Sequence, residues 1–176
     1  MTDRVGAVVE PETAREPLGR LEELYVRHVP TALRTAYLVT GDADLAQDLA
    51  HDAFLRAAGR FRHLRDPGSF DAYLRRAVVN LATSHHRHRK VERAYVDRQV
   101  RDEERMDPPD IGARDELRSV LRTLPVRQRA AVVLRYYEDL SEAQVAETLG
   151  CSVPAARSLV ARAMKTLRHD IRGDDR

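Results

Sequence analysis

The sequence has a single cysteine, no tryptophan and no long apolar run, and these absences exclude several classes of protein. One cysteine, Cys151, excludes an internal disulfide framework and a cysteine-rich zinc site. No apolar stretch approaches the roughly 18 residues of a membrane-spanning helix, so we expect no membrane insertion. The N-terminus lacks a basic start followed by an apolar segment, so it is not expected to be a secretory signal. The default expectation is a cytoplasmic protein.

The apolar residues that are present follow a helical pattern. They recur at steps of three and four residues, and no segment alternates as a strand would. The 176 residues allow one ordinary domain or two small ones. In the first half we expect a helix with a kink or short break at Pro30 and an end at Gly41. Asp42 or Asp44 is placed to cap the next helix, and a third helix follows over about 70–81.

The middle of the chain differs in composition. Residues 92–113 are mixed in charge, poor in apolar side chains and interrupted by Pro108 and Pro109. Too little apolar surface is present there to offset the entropy of ordering, so we predict a linker, part helical and part flexible. This makes a single continuous core unexpected. The sequence therefore predicts an all-α fold with two small helical domains, divided as 1–17 flexible extension, 18–91 first domain, 92–113 linker and 114–172 second domain.

The second domain carries the pattern of a helix-turn-helix. Pro125 is placed at the start of a helix that we expect to continue through Val132, Val133, Tyr136 and Tyr137. In the next segment, a hydroxyl and an amide three residues apart, at 141 and 144, have the form of a capping box. A glycine at 150 suits the left-handed end of that short helix, and a serine at 152 can cap a longer basic helix. This spacing fits a DNA-reading hairpin, although many helical hairpins share it without binding DNA.

Charge is unevenly distributed along the chain. Residues 42–52 carry four aspartates and no Lys or Arg, whereas 75–93 and 157–172 are strongly basic. Basic clusters are typical of polyanion-binding surfaces such as those for nucleic acid. A single cluster is more often an ordinary solvated helix face, and the presence of two clusters on amphipathic helices weakens that interpretation.

Four blocks of the sequence carry a family resemblance. They read YLVTGD at 37–42 with DLAHDAFLR at 48–56, AYLRRAVVNLA at 72–82, LPVRQRAAVVLRYYEDLS at 124–141 and AETLGCS at 146–152. In this order they resemble regions 2.1–2.2, 2.3–2.4, 4.1 and 4.2 of the extracytoplasmic function (group IV) sigma factors of bacterial RNA polymerase. The SigE-like subfamily of GC-rich bacteria is most similar. The resemblance extends over about residues 18–172.

The resemblance implies a factor that binds core RNA polymerase and directs promoter-specific initiation by recognising −35 and −10 elements. It implies docking on the clamp coiled coil of the β′ subunit, a contact with the flap of the β subunit, and an anti-sigma factor as a further partner that the family allows. The residues implied in core-polymerase binding are Gln47, Asp48, His51, Asp52 and Arg56. Asp48 and Asp52 lie beyond the first helical turn, so capping explains them less well than it explains Asp42 and Asp44.

The resemblance also implies two sets of DNA-binding residues. The −10 set lies near a base-capturing loop at 62–69 and comprises Arg75, Arg76, Asn80, Arg87, Arg89 and Lys90. Asn80 is a poor helix former in mid-helix, so it either meets DNA or is buried and hydrogen-bonded. The −35 set comprises Ser152, Arg157, Ser158, Arg162 and Lys165. Ala155 and Leu159 stand where the family often has hydroxyl and basic side chains, which leaves the −35 preference open.

Two other functions remain open at the level of sequence. A helix-turn-helix regulator acting without polymerase would explain 114–172 but not the resemblance of 18–90. A degenerate sigma factor that only binds partners would fit Ala155 and Leu159. We expect neither catalysis nor a cofactor, since the sequence shows no nucleophile–base pair and no glycine-rich phosphate loop. His85, His86 and His88 lack accompanying ligands, so no metal site is expected.

Overall fold

The computed structural model describes residues 15–61, 67–96 and 113–173, with side chains described at 19–60, 70–89 and 117–169. Within these ranges the chain is helical and contains no strand, which confirms the all-α prediction. The helices are α1 (Arg15–Thr40), α2 (Ala43–Phe61), α3 (Pro67–Val96), α4 (Ala113–Arg122), α5 (Val126–Val132), α6 (Glu142–Leu149) and α7 (Val153–Gly173). A π-helical turn, Val133–Tyr137, continues α5.

The first unit is a bundle of α1, α2 and α3. Its core combines Phe54, Phe70 and Leu74 with alanines that let the helices approach closely. Gly41 ends α1 with a φ of 74°, and the side chain of Asp42 accepts a hydrogen bond from the Leu45 amide at 3.0 Å. The predicted end and cap of these helices are therefore confirmed, with Asp42 as the capping residue.

Two boundaries in this unit differ from the sequence prediction. α1 continues through Pro30 without the break that was one of the two expected effects of this proline. Pro30 is exposed, so the carbonyl that its ring deprives of a hydrogen bond lies on the side of α1 that faces water. α3 continues well past 81 to Val96, because residues 82–96 contain no glycine or proline. The rest of the predicted linker, 97–112, lies outside the described residues, as does the predicted extension before residue 15.

The second unit contains α4 to α7, and its π-helical turn changes which side chains are buried. The Glu138 amide donates to the Val133 carbonyl, five residues back, at 3.1 Å. The extra residue in this turn rotates the following side chains relative to an α-helix. Tyr136 and Tyr137 are consequently 61% and 46% exposed. The predicted helix thus continues through both tyrosines, but as a π-helical turn whose last two side chains face water.

The two units share one core, contrary to the expectation of separate cores. Val39, Leu49 and Val79 of the first unit belong to the same buried cluster as Leu134 and Val145 of the second. α1, α2 and α3 carry more apolar surface than they bury against one another, and α5 and α6 cover the rest of that surface. Periodicity shows that a face is apolar, but it does not show which helix covers that face.

Arg129 ties the units together through backbone carbonyls. Its guanidinium, 5% exposed, donates from Nη1 to Val39 at 2.8 Å and from Nη2 to Arg122 at 3.2 Å and Leu124 at 3.1 Å. Burial lowers the pKa of the Arg129 guanidinium, and the charge of Arg122 lowers it further. Val39 and Arg122 lie at the C-terminal ends of α1 and α4, where helix dipoles favour a cation.

A carboxylate makes a second tie. Glu138, at the end of the π-helical turn, accepts hydrogen bonds from the Thr35 hydroxyl of α1 and from Arg75 Nε of α3 at 3.3 Å. Both partners belong to the first unit, and because the Glu138 side chain is only 7% exposed, this contact is largely shielded from water.

Across the described parts of the chain, no helix is both long enough and apolar enough to span a bilayer.

We predict that Arg129→Met lowers the free energy of unfolding by about 2–4 kcal/mol, since three carbonyls lose their donor in a buried site. Denaturant unfolding of the full chain measures this loss. Arg127→Met is the matched control, because Arg127 is exposed and donates to one carbonyl, that of Leu149 at 3.1 Å. The control is expected to cost less than about 1 kcal/mol. Equal losses for the two variants would contradict the role of Arg129.

Candidate nucleic-acid interface

The predicted polymerase-binding residues share the outer face of α2. Gln47, Asp48, His51 and Arg56 are exposed, and Asp52 is half-buried. Asp52 pairs with Arg56 one turn later, accepting from its Nε at 3.1 Å and its Nη2 at 2.8 Å. Because this pair is surface-exposed, it contributes little to stability and leaves the face available to a partner.

Sequence reasoning missed an apolar member of this face. Leu55 is 55% exposed and follows Asp48 by seven residues, so it continues the stripe formed by Asp48, His51 and Asp52. The spacing that places Leu55 in this stripe is present in the sequence. The sequence alone does not show that Leu55 is exposed while the adjacent Phe54 is buried. An exposed leucine beside carboxylates gives this face both an apolar and a charged contact for a protein partner.

Asn80 of α3 is exposed, which removes the alternative that it is a buried, hydrogen-bonded side chain. It lines two grooves. One runs between α2 and α3, has a volume of about 250 Å³, and is also lined by Arg56, Tyr73 and Arg76. The other, about 650 Å³, lies between α3 and the second unit and is also lined by Arg87. Asn80 therefore joins two basic grooves on one helix.

The structure gives Arg75 a different environment from the other predicted −10 residues. Its guanidinium, 18% exposed, bonds the carboxylates of Asp71 and Glu138. These two acidic partners leave it poorly placed to follow a phosphate backbone. Arg76 and Arg87 are exposed and Arg89 is half-buried, whereas the Lys90 side chain lies outside the described side chains.

Two further features of the sequence have limited support as sites. Residues 62–66 of the predicted base-capturing loop, and the side chains of 67–69, lie outside the described part of the chain. In the described residues, including His85, His86 and His88, no three His, Cys, Asp or Glu side chains are grouped to hold a metal ion. Cys151 is half-buried and packs against the shared core.

The helix-turn-helix forms as the sequence predicts. The Gln144 amide donates to the Ser141 hydroxyl at 3.3 Å, and the Ser141 amide donates to Gln144 Oε1 at 2.9 Å, which completes the capping box. Gly150 ends α6 with a φ of 60°. Ser152 caps α7 by accepting from the Ala155 amide at 3.3 Å. Ser152 is thus occupied in capping, although its side chain remains exposed.

α7 presents basic side chains outward. Its inner face buries small residues, Ala156 and Ala163, while Arg157, Arg162 and Lys165 are exposed and Ser158 is half-buried. Ala155 and Leu159 are also half-buried, and Leu159 packs against the shared core. The two departures from the family pattern therefore leave the outward cations in place.

Arg157 makes an ion pair that the sequence did not indicate. Glu142, the first residue of α6, accepts from Arg157 Nε and Nη2, the shortest distance being 2.7 Å. The hydrogen bond from Arg157 lowers the pKa of the Glu142 carboxyl, and the same bond raises the pKa of Arg157. The two residues are 15 positions apart on different helices, which is why helix periodicity could not pair them.

Comparisons with known proteins match both halves of the chain. The family model "Sigma-70 region 2" matches residues 24–92, and "Sigma-70, region 4" matches residues 114–167. The RNA polymerase sigma-E factor of Streptomyces avermitilis is 36% identical over 155 residues, covering 87% of this chain and 86% of that protein. The sigma-E factor of Streptomyces coelicolor is 37% identical over 152 residues, covering 85% of each chain.

Solved structures show the same fold. The sigma factor RpoE of Bartonella quintana, determined in complex with the anti-sigma factor NepR, superposes with a TM-score of 0.70 at 22% identity. That match covers 87% of this chain and 97% of RpoE. CnrH, determined in complex with the cytosolic domain of CnrY, gives a TM-score of 0.62 at 25% identity and covers 92% of this chain and 95% of CnrH.

We predict that Arg157→Ala raises the pKa of the Glu142 carboxyl toward its ordinary value, because the hydrogen bond that depresses it is removed. In the native chain the ion pair is complete above the ordinary carboxyl pKa and is lost as the pH falls through the depressed value. Carboxyl-carbon NMR titration measures the shift. Arg162→Ala, which removes another exposed arginine of α7, is the control and is expected to leave the Glu142 midpoint unchanged. An unmoved Glu142 midpoint in the variant would refute the pairing.

Proposed function

Since the chain belongs to the sigma-70 family as an RNA polymerase sigma factor of the extracytoplasmic function group, we propose that its helical units divide the work of promoter-specific initiation. The first domain, 18–91, binds core polymerase and the −10 element. The second, 114–172, binds the −35 element, and 92–113 links them. The carrying observation is that one chain presents an acidic outer face on α2 and basic outer faces on α3 and α7.

The outer face of α2 is the proposed docking surface for the clamp coiled coil of the polymerase β′ subunit. Asp48 and His51 are exposed in one stripe with Asp52 and the apolar Leu55. Exposed carboxylates of this kind complement a basic partner and steer its approach, while the leucine adds apolar contact. By the family pattern, the second domain contacts the flap of the β subunit.

α3 is the proposed −10 element reader. Asn80, Arg76 and Arg87 are exposed along the two grooves of about 250 and 650 Å³. An arginine plane offers stacking as well as charge, so these side chains suit separated strands. Opening the duplex costs a few kcal/mol for each unstacked base, and contacts in the pocket offset that cost.

α7 is the proposed reader of the −35 element. α3 and α7 can contact the two elements of one promoter together only when the two units move apart. The names of the elements place them about 25 base pairs apart, which is about 85 Å at a rise of about 3.4 Å per base pair. In the structure α6 contacts α3 directly, so α7 lies roughly one helix layer, about 10 Å, beyond it. The shared core and the contacts of Arg129 and Glu138 therefore belong to a closed form, distinct from the promoter-bound form.

Polymerase supplies the chemistry in this proposal, and the chain itself binds without catalysis. It acts in the cytoplasm, where polymerase transcribes. An anti-sigma factor is a proposed further partner, in line with the complexes in which RpoE of Bartonella quintana and CnrH were determined. We do not propose a helix-turn-helix regulator acting without polymerase, because the two family matches together cover both halves of the chain. We do not propose a degenerate sigma factor either, because α7 keeps its outward cations despite Ala155 and Leu159.

We predict that Asp48→Arg combined with Asp52→Arg weakens binding to core polymerase at least about tenfold, since two carboxylates facing a basic partner are reversed. Fluorescence anisotropy of the labelled full chain titrated with core polymerase measures the affinity. The control is Glu22→Arg with Glu23→Arg, an equal change of charge at exposed positions of α1. Native affinity in the α2 variant would disprove the docking surface, provided that its helical circular dichroism is unchanged.

We also predict that Arg162→Ala and Lys165→Ala each lower the salt dependence of promoter binding by the holoenzyme. Removing one cation–phosphate interaction reduces the slope of log affinity against log salt by about 0.9. Filter binding at several salt concentrations gives the slope. Arg27→Ala, an exposed arginine of α1, is expected to leave it unchanged. A native slope in both α7 variants would exclude their phosphate contacts.

A further inference from the structure

The ion pair between Glu142 and Arg157 crosses the helix-turn-helix at its DNA-facing end. Arg157 is the fifth residue of α7, within the N-terminal part of a recognition helix that faces base edges. Arg157 Nε lies 3.1 and 3.0 Å from the two carboxylate oxygens of Glu142, and Nη2 lies 2.7 Å from Oε2. The two side chains are 66% and 41% exposed, so the pair is open to a large ligand.

The position of Glu142 is itself fixed. It directly follows Ser141, whose side chain and amide complete the capping box with Gln144. The carboxylate lies in the first turn of α6, where the helix dipole favours a negative charge. The hydrogen bond from Arg157 lowers the pKa of this carboxyl further below its ordinary value. Glu142 is therefore a negatively charged support for the long side chain of Arg157, placed on a backbone that the cap fixes.

A count of donors shows what the pair leaves available. A guanidinium carries five N–H groups in a planar fork. Glu142 engages the Nε hydrogen and one hydrogen of Nη2, which together form one edge of the fork. Three hydrogens remain, and two of them, one on Nη1 and one on Nη2, form a second edge that has no partner among the described residues. Two acceptors side by side are needed to bind it, and guanine presents such a pair, O6 and N7, in the major groove.

The same carboxylate disfavours a phosphate as the ligand of Arg157. The ion pair has no net charge, so it releases few counterions, and a phosphate beside Glu142 would meet a like charge. A guanine edge carries no charge and does not suffer this repulsion. Arg162 and Lys165, which are exposed farther along α7, are better suited to the backbone.

We propose that Glu142 is a positioning residue that holds the Arg157 fork in the orientation that reads a guanine in the −35 element. This inference rests on the proposed −35 role of α7. It assigns sequence discrimination to Arg157 and separates it from the phosphate contacts of the other outward cations. It also explains how a −35 preference survives with Ala155 and Leu159 in place of polar side chains.

The test is an in vitro selection of DNA with a randomised −35 region by the reconstituted holoenzyme. The native protein, Glu142→Gln, Arg157→Lys and the control Glu147→Gln are compared. Glu147→Gln removes the same charge from an exposed position of α6. We expect the native and control proteins to prefer guanine at one −35 position by about tenfold or more. Glu142→Gln and Arg157→Lys are expected to reduce that preference below about threefold. Glutamine has a single acceptor oxygen and cannot hold both donors of the fork, and lysine has an ammonium in place of the fork.

A chemical substitution locates the contact. Replacing the selected guanine with 7-deazaguanine removes the N7 acceptor, and this is expected to weaken native binding about as much as Glu142→Gln does. In Glu142→Gln the replacement is expected to have little further effect, since both changes remove the same interaction.

Three results would overturn the proposal. Glu142→Gln could keep the native guanine preference, or it could bind every sequence more tightly with that preference intact, in which case Glu142 only repels DNA. A native holoenzyme with no −35 preference at all would overturn the proposed −35 role itself, and the positioning role with it. The last result is distinguishable from the others because it is measured on the native holoenzyme, without any variant.

Discussion

The Arg129 guanidinium lies where the C-terminal ends of α1 and α4 meet. It bonds two carbonyls of its own unit and the Val39 carbonyl of the first unit, and the bond to Val39 joins the two units. A buried cation without a carboxylate partner is costly unless other groups replace its hydration. Here carbonyls replace the hydration of Nη1 and Nη2, two of them at the negative ends of helices, whereas the buried Nε has no hydrogen-bond partner in the described part of the chain. The site requires a close approach, since a Cβ on Gly41 would lie 3.3 Å from the Arg122 side chain. The left-handed glycine that ends α1 is thus part of the same contact.

Much of the remaining architecture follows from this contact. With α5 held against the end of α1, Val39 and Val79 complete the core of the second unit, and Glu138 reaches Thr35 and Arg75. The helix-turn-helix then lies beside α3, so Asn80 faces a groove that the second unit helps to line. The outer face of α2 stays exposed. The closed form therefore offers the proposed polymerase-docking surface, while the two helices proposed to read DNA remain too close together to span a promoter.

Local features of the fold were predictable because they depend on neighbouring residues. The capping box at Ser141, the left-handed Gly150 and the caps at Asp42 and Ser152 each need a few adjacent positions. The exposed stripe of α2 was predictable for the same reason. The π-helical turn was not, because its extra residue is set by the packing that buries Val133 and Leu134. Contacts between distant helices also have no periodic signal in the sequence. Examples are the ion pairs of Arg75 with Glu138 and of Arg157 with Glu142.

The measurement that tests the central claim most directly is run-off transcription in vitro. Purified core polymerase is combined with DNA from upstream of the gene that encodes this chain, with and without the protein. The account predicts a discrete transcript that appears only when the protein is present. Stable binding to core polymerase without any such transcript, across fragments shown to bind the holoenzyme, would contradict the assignment of an initiating sigma factor and favour a chain that only sequesters its partners.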